Sequence, residues 1–165
     1  MPDLVLRSFQ PLERVAQLQR SGVLRGDWGH VVRGTERAYA RMVEVMTEKG
    51  IDTDGRPPVW AWHGVLRLLD ADLLFDAKEE LSKGFATLTF RAPDHLVLLS
   101  DYADWCDLLM APPEVPVGQW MPQPHAADGF HPEQACLPYV LMDWVTDIQP
   151  LPATGWDDLD LEALL

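Results

Sequence analysis

The chain has 165 residues, with 13 Lys and Arg against 26 Asp and Glu, a formal charge of -13. The excess is confined to one part: up to Arg91 there are 13 basic and 13 acidic residues, and beyond it 13 acids without a single Lys or Arg. A second half lacking cations argues against a nucleic-acid groove, which must neutralise phosphates, and against docking on an anionic membrane.

Leu4–Phe9 is short and apolar and reads as an opening strand. Pro11 starts a helix in which Leu12, Val15, Ala16 and Leu18 recur at helical spacing, and Gly22 sits where a C′ glycine belongs. A Gly-rich connection, Gly22–Gly34, carries Trp28 and His30. Thr35 caps a second helix, lined on one face by Tyr39, Met42, Val43 and Met46 and ended by Gly50. Pro57-Pro58 interrupts the chain before Val59–His63, whose β-favouring residues predict a strand.

Asp70–Ser82 fits no single element, and its acidic tail Asp76–Glu80 suits a surface turn or a short helix. Phe85–Arg91 alternates cleanly as a strand, Ala92-Pro93-Asp94 reads as a turn and Leu96–Leu99 as a short buried strand. Ser100 or Asp101 caps a helix reaching about Met110. The Pro-rich segment 111–130 reads as a loop, and Tyr139–Val145, after Pro138, as a late strand. The chain therefore reads as a single α+β domain over residues 1–150. It has a mixed or antiparallel sheet, two N-terminal helices and a later short helix, and an acidic, Leu-rich tail follows over 151–165.

At this length one domain is the expectation, burying roughly 70% of the unfolded surface. No apolar run approaches the roughly 18–20 residues that span a bilayer, and Met1-Pro2-Asp3-Leu4 has no basic region followed by an apolar one. Two cysteines, Cys106 and Cys136, form no disulfide framework, which suits the cytoplasm. Ten Arg against three Lys suggests a GC-rich bacterial genome.

Several groupings carry potential chemistry, each beside a plainer reading. His125, Asp128, His131 and Cys136 include zinc-ligand types, but their spacing matches no standard metal pattern, so the expectation is a surface loop without metal. His95, Ser100 and Cys106 cluster in sequence. Ser100 suits a helix cap, however, and Cys106 a buried, inert thiol. Asp101, Asp104 and Asp107 recur at the start of one helix, where the first two complement its dipole. The glycines at 22, 26, 29 and 34 match no phosphate loop. Trp60 and Trp62, two apart on a strand, face one side; such a pair is either core or a stacking wall for a flat ligand. The tail Gly155–Leu165 interleaves acids with Leu, a pattern that either packs on its own domain or docks a basic protein partner.

Certain stretches resemble a known family. Leu6–Leu24, Ala38-Tyr39-Ala40-Arg41-Met42 with Met46, Pro58-Val59-Trp60-Ala61-Trp62-His63, and Val97-Leu98-Leu99-Ser100-Asp101-Tyr102 with Trp105 are similar, in this order, to motifs of the bacterial domain-of-unknown-function family 3841. More distantly, a basic-residue strand followed by a helix ending at Gly22-Val23-Leu24 resembles the opening of the ADP-ribosyltransferase-like fold. That resemblance implies a first-strand basic residue holding NAD, an aromatic stacked on nicotinamide, and a late-strand Glu. The Glu would stabilise the oxocarbenium-like transition state, where positive charge develops on the sugar. Arg7 matches the basic residue; Tyr39, Trp60 or Trp62 the aromatic; Glu133 or Gln134 lies near the late strand. The expected ligand-binding set is Arg7, Gln10, Tyr39, Trp60, Trp62, Ser100, Asp101 and Trp105, with NAD the possible cofactor and Arg7 and Glu133 the catalytic candidates.

Overall fold

The computed structural model describes residues 3–124 and 132–158. Its elements are β1 (Asp3–Pro11), α1 (Leu12–Ser21), β2 (Val23–Arg25), α2 (Glu36–Glu48), β3 (Val59–His63), α3 (Leu68–Leu74), β4 (Phe85–Pro93), β5 (Leu98–Ser100), α4 (Tyr102–Leu109), β6 (Glu133–Leu137), β7 (Tyr139–Leu141) and β8 (Val145–Pro150). Six strands form one sheet in the order β5-β6-β3-β1-β4-β8, and every neighbouring pair in it is antiparallel. β2 and β7 make a separate antiparallel ribbon. This is an α+β fold whose sheet is antiparallel throughout. None of its helices is long and apolar enough to cross a membrane, among the described residues.

Strand alternation gives the main sheet two different faces. On the first face, Leu6, Val59, Ala61, Leu88, Phe90, Ala135 and Leu137 pack against Val15 and Leu18 of α1, Leu24 of β2 and Val140 of β7. The second face carries two smaller cores. One joins Leu98, Cys136 and Trp60 to Met42 and Met46 of α2 and Trp105 and Leu108 of α4. The other joins Phe9 and Phe85 to Ala71 of α3, Leu81 and Trp156.

Helix α1 ends as its sequence indicates: Gly22 has φ 80° and its N–H donates to the Leu18 carbonyl. Thr35 precedes α2 but gives it no side-chain cap; its hydroxyl donates to the Val32 carbonyl instead, and the Glu36 carboxylate accepts from Gly34 N–H. Two arginines on α2 hold the Pro-rich segment. Arg37 donates to the carbonyls of Ala111, Pro112, Pro113 and Val115, and Arg41 to that of Trp120. Proline removes backbone donors but leaves carbonyls, and a guanidinium with five N–H groups is suited to gather them.

Three local expectations need correction, and one segment left open resolves into two elements. No turn forms at 92–94: β4 runs on to Pro93, which lies opposite Asp3 at the start of β1, where the sheet tolerates a missing donor. The segment 139–145 is not one strand; a 3-10 turn at Met142–Trp144 divides β7 of the ribbon from β8 of the main sheet. The ambiguous stretch 70–82 holds most of α3, which starts at Leu68, and a 3-10 turn at Leu81–Lys83. Finally, β6 occupies residues between Pro132 and Pro138 where no strand was expected.

Candidate functional site

The registers of β5, β6, β3, β1, β4 and β8 line up one residue from each strand in a row. Ser100 pairs with Gln134, Gln134 with Trp62, Trp62 with Arg7, Arg7 with Thr89, and Thr89 with Asp147. Register partners project to the same side, so all six belong to the second face. The row borders both cores: two residues along the strands lie Leu98, Cys136 and Trp60 of the α2/α4 core and Phe9 of the α3 core. Arg7, Trp62 and Thr89 at its centre are half-buried. Three residues selected from sequence (Arg7, Trp62 and Ser100) thus meet on one line.

Each member has a defined setting. Arg7 donates from Nη1 to the Gly64 carbonyl at 2.8 Å and, among the described residues, has no carboxylate partner. Trp62 meets Tyr102 of α4 edge-on, with ring centroids 5.2 Å apart. Gln134 and Ser100 are both buried, and the Gln134 amide donates to the Ser100 hydroxyl at 3.1 Å. Asp147 is exposed, and the register of β4 with β8 shifts directly beyond its Thr89 partner. Burial first, and a hydrogen bond with Cys106 second, push the Tyr102 phenol up to about 12, so at neutral pH it is a proton donor. Cys106 itself is half-exposed rather than buried, because it lies beside Tyr102 on the flank of α4.

The other sequence-selected residues fall elsewhere. Glu133 alternates to the first face, where one carboxylate oxygen lies 3.4 Å from His63 Nδ1. It is therefore on the opposite side of the sheet from Arg7. Trp105 is buried among Trp60, Tyr39 and Trp120, with ring centroids 4.8, 5.2 and 6.2 Å away respectively, so its indole packs rather than faces solvent. Trp60 and Trp62 share a face as expected, but each meets a different aromatic residue of α4. Asp101 caps α4 by accepting from Asp104 N–H, and Asp104 accepts from Gln123 N–H. Two of the three acids on this helix thus hold backbone. Of the four residues of zinc-ligand type weighed from sequence, Cys136 is described and is buried; His125, Asp128 and His131 lie outside the described residues, as does the tail beyond Asp158.

Gln10, Tyr39 and Trp60 converge on a different feature. A cleft of about 290 Å³ opens at the end of the sheet where β1 passes into α1 and Pro57-Pro58 leads into β3. Its back wall is a close backbone contact: a Cβ on Gly26 would lie 1.8 Å from the Pro57 carbonyl oxygen, so only glycine fits. Trp28 Nε1 donating to Gly55 and Arg56 donating to Gly26 fasten the same two segments.

Sequence reading placed Gln134 near the late strand without giving it a role, and it passed over Thr89 and Asp147. These become visible only once six registers are known. No protein-family model, no curated protein and no solved structure matches the chain.

Proposed function

We propose that this chain binds a nucleotide of the NAD type on the second face of its sheet, in an ADP-ribosyltransferase-like arrangement that does not cleave the glycosidic bond. The observation that carries this reading is the pairing of Arg7 with Trp62 on a half-open part of that face. A guanidinium with a single hydrogen-bond partner among the described residues suits a phosphate, and an indole beside it suits a flat ring. Tyr102 closes one side and adds a hydroxyl.

The same row supports binding without chemistry. Where a transferase would place its late-strand carboxylate, the position in register with Trp62 is Gln134. An amide carries no negative charge to stabilise an oxocarbenium-like sugar, and this one is buried against Ser100. Glu133, one residue away, is turned to the other face beside His63. Asp147 is the carboxylate in the row, but two strand spacings, roughly 10 Å, separate its backbone from that of Arg7.

The test is thermal stability with NAD. Stabilisation should grow with NAD concentration in the wild-type protein and disappear in Arg7→Ala at unchanged ligand-free stability. No nicotinamide should be released. Absence of any shift, or nicotinamide release by the wild-type protein, would overturn the reading.

A further inference from the structure

The cleft at the end of the sheet holds charges of both signs that do not neutralise each other directly. Arg14, in the first turn of α1, donates to the Arg25 carbonyl and, at 2.9 Å, to Gln17 Oε1, contacts that fix its guanidinium at the cleft wall. Asp27 lies on the other segment, its carboxylate accepting from Gly29 N–H at 2.8 Å. Among the described residues these two make no ion pair with each other, although both line the same cleft. Glu13 adds a second exposed carboxylate to the rim. Burial pushes the Arg14 guanidinium down, against the pull of Asp27 and Glu13. Asp27 is held below the usual carboxylate range, first by the Gly29 N–H and then by His30, Arg14 and Arg56. Both groups are charged at neutral pH and each senses the other across the gap.

The rest of the lining decides what would fill that gap. Pro58, Val59 and Trp60 form an apolar wall. Tyr39 is half-buried and meets the Trp60 ring edge-on, and burial pushes its phenol up, so it remains a neutral donor. A purely anionic ligand would meet Glu13 and Asp27, and a purely cationic one would meet Arg14; each leaves a like charge facing it. A molecule bearing both charges close together satisfies the two sides at once. The volume lies at the small end of ligand sites.

We infer that this cleft is a binding site for a free α-amino acid with an apolar side chain, its carboxylate on Arg14, its ammonium on Asp27 and Glu13, and its side chain against Pro58 and Trp60. This site is separate from the Arg7–Trp62 row and does not depend on it.

The experiment is calorimetric titration with L-leucine and L-phenylalanine, each beside the matching amine lacking the carboxylate and the matching acid lacking the amine. Only the amino acids should bind, and glycine should bind more weakly than either. Arg14→Gln and Asp27→Asn should each weaken leucine binding by at least about tenfold, the order expected for losing one charge-assisted contact. Arg14→Lys should retain part of it. Urea unfolding of each variant separates lost binding from lost fold. Arg7→Ala should bind leucine like the wild type, so failure here and failure of nucleotide binding are distinguishable. No heat with either amino acid, equal binding of a lone amine or acid, or wild-type affinity in a folded Arg14→Gln would overturn the inference.

Discussion

The two faces of the six-stranded sheet are closed in different ways. On the first, an unbroken layer of Leu, Val, Ala and Phe meets α1 and the β2–β7 ribbon. On the second, two separate cores are bordered by a polar row. Burying apolar area contributes roughly 25 cal/mol per Å², and on the first face that burial runs without interruption across the sheet. The second face gives up part of that gain. It keeps an arginine, a threonine and an aspartate where apolar residues would have packed. This row, beside half-exposed tryptophan and tyrosine side chains, is the part of the sheet that packing closes least.

Mutations on the two faces should break this contrast in order of size. Phe90→Ala, on the first face, removes a fully buried ring and should lower unfolding free energy by about 3–5 kcal/mol in urea denaturation. Gly26→Ala forces a methyl group into the Pro57 carbonyl and should cost about 1–3 kcal/mol, with the cleft distorted in the same step. Trp62→Ala, on the second face, removes a half-buried indole and should cost no more than about 2 kcal/mol, while NAD binding is lost. Equal losses for Phe90→Ala and Trp62→Ala would remove the distinction between the faces. Arg37→Ala should change global stability by about 1 kcal/mol or less, yet raise amide exchange and proteolysis at 111–115, because one side chain gathers four carbonyls there.

A pH titration sharpens the same contrast. The Tyr102 phenol is raised from its ordinary 10.0 to about 12 in the folded chain, so folding favours its neutral form. The stabilisation is complete below pH 10 and is lost as the pH rises through 12. Phenolate absorbance followed with pH should show one tyrosine fewer ionising in that interval in Tyr102→Phe than in the wild type.

Much of the fold was legible because its signals are local. Gly22 ends α1, Phe85–Arg91 alternates, and Pro57-Pro58 isolates the Trp60/Trp62 strand. β6 was not legible: prolines on both sides read as loop punctuation, and Ala135, Cys136 and Leu137 are buried on both faces, which erases alternation. The site was legible in part for the same reason. Arg7 and Trp62 could be picked out as residue types. Their partnership with Gln134, Thr89 and Asp147 depends on registers that no local pattern encodes. Trp105 shows the converse, since its motif drew attention while its indole lies in the core.

The most direct test of the account is calorimetric titration of NAD into the wild-type protein, Arg7→Ala and Trp62→Ala. A single site should appear in the wild type and weaken by at least about tenfold in each variant, with both variants still folded. Absence of binding to the wild-type protein, or equal affinity in all three, would contradict the assignment of the Arg7–Trp62 row as a nucleotide site.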